Sequence, residues 1–227
     1  MSDKKKLKNL GIIPDGNRRW SRKRGLPTLS GHKKGAKKIK ETVSWCRKLD
    51  IQKLTIYGFS TENWKRSAEE INYLMDIFFE LGSDRYLKKL KEEGVKVRVV
   101  GEESKKIPEK TKKSFDKLER ETENLSDFIL NIAFNYGGRR EIVRAVQKIN
   151  DKDCRITEEN IRKNLYVKNY PDLIIRTGKE KRLSNFLLWQ SAYSELYFSE
   201  SFWPDFSENE FKKIINNYEN RSRRFGK

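Results

Sequence analysis

Short apolar runs, rich in β-branched and aromatic residues, recur along the chain and predict six strands. They span residues 10–14, 53–60, 96–101, 128–135, 172–177 and 195–199. Between them, apolar positions at helical spacing predict helices at 35–49, 68–91, 104–123, 141–149 and 208–218. Strand and helix alternate, and the strands are mostly continuous apolar runs. The pattern therefore predicts an α/β fold, a single domain with a mostly parallel six-stranded sheet covered by helices.

The length of 227 residues is typical of one domain. We assign residues 9–220 to the folded domain, residues 1–8 to a basic tail and residues 221–227 to a second basic tail. No stretch approaches the ~18 apolar residues of a membrane span, and the first residues lack the apolar run of a signal peptide. Cys46 and Cys154 have no metal-ligating neighbours, which indicates free thiols. We expect a cytoplasmic protein whose basic surface can touch the cytoplasmic face of a membrane.

Polar residues follow four of the predicted strands. The segments are Asp-Gly-Asn-Arg-Arg-Trp at 15–20, Ser-Thr-Glu-Asn-Trp-Lys-Arg at 60–66, Asn-Tyr-Gly-Gly-Arg-Arg at 135–140, and a basic segment at 176–185. In a parallel sheet the carboxyl ends of the strands meet at one edge, and ligands bind there. The four segments are therefore predicted to form one site.

The net charge indicates what kind of ligand this site would bind. The chain carries +18, which favours anionic partners such as nucleic acid, anionic lipid or phosphorylated small molecules. Between Lys4 and Lys40 there are fourteen Lys or Arg residues and a single acid, Asp15. Mg²⁺ commonly uses one or two carboxylates plus substrate phosphates, so Asp15 is a candidate magnesium ligand. The alternative is that Asp15 only forms the turn.

Several other residues have two interpretations each. His32, the only histidine, follows Ser30 and Gly31 at a predicted helix start rich in cations, and could contact phosphate or be structural. Arg176 and Arg182 flank a glycine-containing loop and could grip a diphosphate or form surface ion pairs. Ser184 is predicted to cap a helix at 185–191. Two tryptophans that follow strand ends could touch substrate or only pack: Trp20 and Trp64.

Taken together, these motifs resemble the cis-prenyltransferases, the undecaprenyl diphosphate synthase family, over nearly the whole chain. The resemblance rests on ordered blocks that include Asp15-Gly16-Asn17-x-Arg19-Trp20, Gly31-His32-x-x-Gly35, Phe59-Ser60-Thr61-Glu62-Asn63-Trp64-x-Arg66, Ile175-Arg176-Thr177-Gly178 and Arg182-Leu183-Ser184-Asn185. It implies successive addition of isopentenyl diphosphate to an allylic diphosphate (geranyl, farnesyl or geranylgeranyl), with each new double bond cis.

The resemblance also implies roles for individual residues. Asp15 and Glu195 would bind Mg²⁺, the expected cofactor, and Asn63 would orient substrate or remove a proton. A neutral amide is a poor base, so we favour orientation. Arg176, Arg182 and Ser184 would bind isopentenyl diphosphate. The allylic diphosphate and the reacting ends would contact Gly16, Asn17, Arg18, Arg19, Trp20, Thr28, His32, Ser60, Thr61, Glu62, Trp64, Arg66 and Leu183.

The family likeness further implies an apolar tunnel between helices and sheet, walled by 68–81 and 128–134. It implies a homodimer in which the Arg-x-Gly ending, Arg224 and Gly226, completes the neighbouring subunit's site. Gly58 and Phe128 lie where product length is often set, and bulky Phe128 predicts a medium-length product. The chain departs from the common pattern at four positions: Pro14, Arg18, Thr28 and Lys179.

Three other functions compete with this interpretation. A non-catalytic subunit of a heteromeric prenyltransferase would lose the Asp-Gly-Asn loop, which this chain retains. A trans-prenyltransferase would need an Asp-Asp-x-x-Asp motif, which is absent. A nucleic-acid-binding module would suit the charge, but it offers no reason for the ordered blocks, so we expect no nucleic-acid partner.

Overall fold

All six predicted strands are present and form one parallel sheet. The structure is a computed structural model that describes residues 6–221. The strands are β1 (Asn9–Ile13), β2 (Lys53–Ser60), β3 (Val95–Val100), β4 (Phe128–Tyr136), β5 (Leu173–Arg176) and β6 (Glu195–Phe198). Their order across the sheet is β3-β4-β2-β1-β5-β6, and every neighbouring pair is parallel. The α/β prediction is confirmed.

Helices cover the sheet. They are α1 (Asn17–Lys23), α2 (Thr28–Lys48), α3 (Ala68–Glu80), α4 (Asp84–Glu92), α5 (Glu109–Thr122), α6 (Gly138–Asn150), α7 (Glu158–Asn164) and α8 (Glu208–Glu219). Short 3-10 helices span Thr61–Lys65 and Trp203–Asp205. The single helix predicted at 68–91 is two helices, α3 and α4. Gly82 lies in the break, and its N–H donates to Ser114 Oγ on α5 (3.1 Å).

One predicted helix is wrong. Residues 185–191 form turns, not a helix capped by Ser184. Ser184, Asn185 and Leu187 have φ angles of +49°, +68° and +44°, which a right-handed helix does not allow. The Asn185 carbonyl accepts from the N–H of Gly138 (2.7 Å), and its side-chain oxygen accepts from the N–H of Arg139 (2.9 Å). Asn185 therefore satisfies the start of α6, and this geometry prevents it from starting a helix of its own.

Alternation along the strands divides the core between the two faces of the sheet. On β4, Phe128, Leu130, Ile132 and Phe134 face the larger cluster, to which α2, α3, α5 and α8 contribute. Ala133, on the opposite face, joins a smaller cluster that includes Phe186 and Leu187. The segment at 183–187 is therefore anchored beneath one face of the sheet.

Two sequence expectations concern the chain as a whole. Within residues 6–221, no helix has both the length and the apolar character needed to span a bilayer. Cys46 is buried and Cys154 exposed, and both are free thiols, as predicted.

Candidate active site

A cavity of about 690 Å³ runs between the sheet and helices α2 and α3. Its inner walls are apolar and include Ile56, Leu74, Phe78, Leu130 and Ile132. Ten of the predicted site residues line its polar end: Asp15, Asn17, His32, Ser60, Glu62, Asn63, Arg66, Arg176, Arg182 and Ser184. The structure thus brings the motifs of β1, β2 and β5 together at the carboxyl edge of the sheet.

Asp15 is fixed by its backbone and paired through its side chain. Its N–H donates to Thr177 Oγ1 (2.9 Å), and the Thr177 hydroxyl donates to the Asp15 carbonyl (2.8 Å). Its carboxylate accepts from Arg176 (2.8 Å) and pairs with Arg19 (3.0 Å). Gly16 follows with φ +104°, and a Cβ there would lie 2.7 Å from the Phe202 ring. The turn therefore requires glycine, and the Asp15 carboxylate faces two arginines.

The close approach of α1 to α2 explains the Gly31-x-x-x-Gly35 spacing. A Cβ at Gly31 would lie 2.1 Å from the Asn17 carbonyl, and one at Gly35 would lie 2.4 Å from Asn17 Oδ1. That Oδ1 is buried and has no hydrogen-bond partner among residues 6–221. Gly31 therefore leaves room for the Asn17 backbone, and Gly35 leaves room for its side chain.

Arg176 organises the opposite side of the polar end. It is 5% exposed, and its guanidinium donates to Ser184 Oγ (2.7 Å), to the Arg182 carbonyl and to Asp15. Its Nε is buried and has no hydrogen-bond partner in the part of the chain that the structure describes. Ser184, in the left-handed region, turns its hydroxyl to Arg176 instead of capping a helix. Arg176 and Ser184 are thereby held in a set geometry beside the more exposed Arg182.

Glu180 is a site residue that the sequence reasoning missed. Its carboxylate accepts from Arg19 (2.8 Å) and from Arg182 (2.6 Å), and so joins the β1 and β5 segments. The only sequence signal is an acid within the Arg176–Arg182 segment. An entering anion would compete with Glu180 for both arginines.

The segment after β2 is held by its own side chains. Asn63 Oδ1 accepts from the N–H of Ser60 (3.0 Å), so its carbonyl oxygen is already engaged. Glu62 accepts from Asn185 Nδ2 (3.2 Å). Burial raises the pKa of Glu62, but its own backbone N–H and the Asn185 amide outweigh burial, so the pKa is lowered overall. Glu62 is therefore a carboxylate at neutral pH.

His32 lies inside α2, one turn beyond the helix start at Thr28, and not at the helix start as expected. Its Nε2 is 2.9 Å from Glu70 Oε1, and Arg66 donates to the same oxygen (3.0 Å). Burial lowers the pKa of His32 and outweighs the opposing effect of Glu70, so the ring is neutral near pH 7. Glu70 is a second residue that the sequence reasoning missed. Arg66 lies four residues before Glu70 but precedes α3, so the pair lacks the geometry of an ion pair within one helix.

Several predicted contacts lie outside the cavity wall. Trp20 donates to Asp205 (2.7 Å), and Trp64 donates to Asn135 (2.8 Å) and packs edge-on against Phe59. The packing interpretation is therefore favoured for both tryptophans. Six further predicted site residues do not line the cavity: Gly16, Arg18, Arg19, Thr28, Thr61 and Leu183.

Within one chain the structure does not bring Glu195 to Asp15, so the magnesium role of Glu195 stays a prediction. Glu195 begins β6 beside Leu173, and Leu173 lies beside Leu10. At ~3.3 Å per residue, roughly 15 Å along the sheet separates that level from Asp15. Glu195 accepts from Arg221 instead (3.3 Å). Arg224 and Gly226 lie outside the described residues.

The donor set around Asp15 fits Mg²⁺. Within residues 6–221, no three His, Cys, Asp or Glu side chains cluster as a metal site. Mg²⁺ needs only one or two carboxylates when substrate phosphates supply further oxygens. Asp15 and Asn17 both line the cavity, and the Asp15 carboxylate is the kind of oxygen ligand that Mg²⁺ prefers. This carboxylate suits an ion that enters together with a phosphorylated substrate.

Fold and site together define the class of protein. Arginines and a carboxylate gather at the carboxyl edge of an α/β sheet, and an apolar cavity continues inward from them. Such a site fits an amphiphile with a phosphorylated head and a hydrocarbon tail.

Comparison with known proteins agrees with this class. The model of the family described as "Putative undecaprenyl diphosphate synthase" matches residues 13–226. The chain belongs to this family of prenyl-group transferases. It is 49% identical over 225 residues to the isoprenyl transferase of Thermotoga maritima, covering 96% of each chain. It is 45% identical over 235 residues to the tritrans,polycis-undecaprenyl-diphosphate synthase (geranylgeranyl-diphosphate specific) of Thermoplasma volcanium, covering 97% of this chain and 89% of that one.

Solved structures show the same fold. A "probable undecaprenyl diphosphate synthase" from Campylobacter jejuni superimposes with a TM-score of 0.84 at 35% identity, covering 98% of this chain and 100% of that one. Lavandulyl diphosphate synthase from Lavandula x intermedia, solved in complex with dimethylallyl diphosphate, gives a TM-score of 0.92 at 30% identity, covering 98% and 99%. The chain is therefore a cis-prenyltransferase by sequence and by fold.

Proposed function

We propose that the protein condenses isopentenyl diphosphate with an allylic diphosphate and extends it to a medium-length cis-polyprenyl diphosphate. The observation that carries this proposal is that a cation-rich polar end and apolar walls belong to the same cavity. A diphosphate head binds the cations while the growing hydrocarbon enters the apolar part. Each buried CH₂ contributes about 0.8 kcal/mol, so every five-carbon unit adds about 4 kcal/mol of binding.

The allylic diphosphate occupies the side formed by α1 and α2. Asn17, His32 and Arg66 line the cavity there, and Arg18 and Arg19 adjoin it. Isopentenyl diphosphate occupies the other side, where Arg176 is aligned with Ser184 and Arg182. Guanidinium groups suit both sites because they bind phosphate oxygens bidentately.

The reaction breaks the allylic C–O bond, joins the allylic carbon to the terminal alkene carbon of isopentenyl diphosphate, and releases one proton. Arginines stabilise the negative charge of the departing diphosphate. Asn63 orients the reacting ends and does not remove the proton, since its carbonyl oxygen already accepts from Ser60. Apolar walls exclude water from the allylic cation.

Mg²⁺ is the proposed cofactor, with Asp15 as its protein ligand. When bound with the diphosphate, the ion would supply positive charge that stabilises the leaving group. Asp15 itself holds Arg19 and Arg176 in place through its two carboxylate oxygens. Its removal would therefore disturb both diphosphate sites.

We further propose that the enzyme works as a homodimer in which Arg224 and Gly226 reach the neighbouring site. The basic surface, with a net charge of +18, supports contact with an anionic membrane on the cytoplasmic side. Both proposals suit an enzyme that makes a lipid product.

The test is a product assay. Purified protein, Mg²⁺ and radiolabelled isopentenyl diphosphate are incubated with dimethylallyl, geranyl, farnesyl or geranylgeranyl diphosphate, and products are identified by mass spectrometry. We expect linear chains that grow by five carbons, with geranylgeranyl diphosphate among the accepted starters. A protein that consumes no isopentenyl diphosphate with any starter would refute the proposal.

A further inference from the structure

Glu70 lies behind the cavity wall in the first turn of α3 and is 5% exposed. Its Oε1 meets His32 Nε2 (2.9 Å) and Arg66 Nη1 (3.0 Å), and its Oε2 lies 3.8 Å from Arg18 Nε. The three partners come from α2, from the segment after the 3-10 helix, and from α1. One buried carboxylate therefore contacts side chains from three elements of the proposed allylic side.

Helix capping alone does not explain this carboxylate. Ser67 and Glu70 have the spacing of a capping box, in which the glutamate would fold back to the Ser67 N–H. Ser67 Oγ does accept from the N–H of Glu70 (3.3 Å). The Glu70 side chain, however, is turned to His32 and Arg66, both of which line the cavity. Its bonds are thus directed at groups that face the substrate.

The negative charge of Glu70 offsets the positive charges of the two arginines beside it. Arg18 and Arg66 would repel each other beside a buried imidazole, and Glu70 offsets that repulsion. Burial lowers the pKa of Arg66, and the nearby Arg18 adds to this effect against Glu70. Bonds between charged partners are roughly twice as strong as neutral ones, so Glu70 fixes Arg66 more firmly than an amide would.

We propose that Glu70 is a positioning residue for the allylic diphosphate: it holds His32, Arg66 and Arg18 at the angle from which they contact one phosphate group. The inference rests on the proposed function. Glu70 acts on the allylic side alone, because its partners are separate from the Arg176–Ser184 side that binds isopentenyl diphosphate.

The experiment compares Glu70→Gln, Glu70→Asp and a matched control, Glu119→Gln. Glu119 is a half-buried carboxylate on α5 that accepts from the N–H of Val99 (2.9 Å), at the far edge of the sheet. The KM for each substrate, kcat and the melting temperature are measured for every variant. Glu70→Gln keeps the shape but loses the charge, and we expect it to raise the KM for the allylic diphosphate about ten-fold. We expect Glu70→Gln to leave the KM for isopentenyl diphosphate unchanged. Glu70→Asp, which keeps the charge, should raise the allylic KM less than Glu70→Gln does. Glu119→Gln should change neither KM.

Other outcomes overturn the inference. An unchanged allylic KM, an equal rise in both KM values, or a lower melting temperature with only kcat reduced would make Glu70 a structural residue. If Glu70→Gln does not fold, the test rests on Glu70→Asp. Its side chain is one methylene shorter, so it should still raise the KM for the allylic diphosphate and leave the KM for isopentenyl diphosphate unchanged. A wild-type protein that makes no product would instead refute the proposed function.

Discussion

Phe128 is expected to close the inner end of the cavity and so to limit product length. Leu130 is the innermost residue of β4 in the cavity wall, and Phe128 is the next residue on the same face. Phe128 is 1% exposed, so its ring fills space that a longer chain would need. Phe128→Ala should therefore lengthen the products.

The strand register gives the distance from the mouth of the cavity to Phe128. Ile56 lies beside Ile132, so Phe128 stands level with residue 52, eight residues inward from Ser60 at the mouth. At ~3.3 Å per residue the depth is about 26 Å. A five-carbon unit built from C–C bonds of about 1.5 Å spans roughly 4–5 Å, so about five or six units fit before the ring. Removing the ring should admit one or two more.

The assay is chromatography of radiolabelled products under identical conditions. Phe128→Ala should also lower the free energy of unfolding by about 3–5 kcal/mol, so the reaction is run well below the melting temperature. Phe211→Ala on α8 is the control, since Phe211 is equally buried but packs against Trp45 and Phe206, away from the cavity. A product distribution identical to wild type in a folded Phe128→Ala variant would refute the reasoning.

Four further predictions follow from single residues. Gly58→Leu should shorten the products, because a Cβ there already meets the Phe78 ring at 3.2 Å; longer chains would contradict it. Lys179→Gly should raise the free energy of unfolding by roughly 1 kcal/mol, since Lys179 has φ +71°, and a lower melting temperature would count against this. Arg18→Gly should weaken binding of the allylic diphosphate, measured by titration, and an unchanged affinity would show that Arg18 makes no contact. Burial lowers the pKa of His32 below 6.5, so the unfolded chain takes up the proton first and stability falls as pH drops through 6.5. In His32→Asn the free energy of unfolding should therefore fall less as the pH drops through 6.5. The same pH dependence in wild type and variant would refute this prediction.

The strands and the polar end of the site were predictable because their signals are local. Apolar runs mark buried parallel strands, and the residues that follow β1 and β5 must meet at one edge. Asp15 stood out because it is the only acid in a long basic stretch. Its pairing with Arg176 then follows from the adjacency of the two strands.

The remaining features depend on contacts that no local pattern encodes. Asn185 caps α6 from another segment, which turned a predicted helix into turns. Glu70 and Glu180 are single acids among many charged residues, and only the fold shows that each joins two arginines. Glu195 belongs to a family motif, yet the strand register places it at the other end of the sheet from Asp15.

The most direct test of the central claim is the rate of cis-polyprenyl diphosphate formation by wild type and by Asp15→Ala at saturating substrates and Mg²⁺. Asp116→Ala, an exposed carboxylate on α5, is the control. Loss of one preorganised electrostatic group at a reacting site costs about a hundred-fold or more in rate, and we expect at least that loss for Asp15→Ala alone. A fully active Asp15→Ala variant would contradict the proposed site.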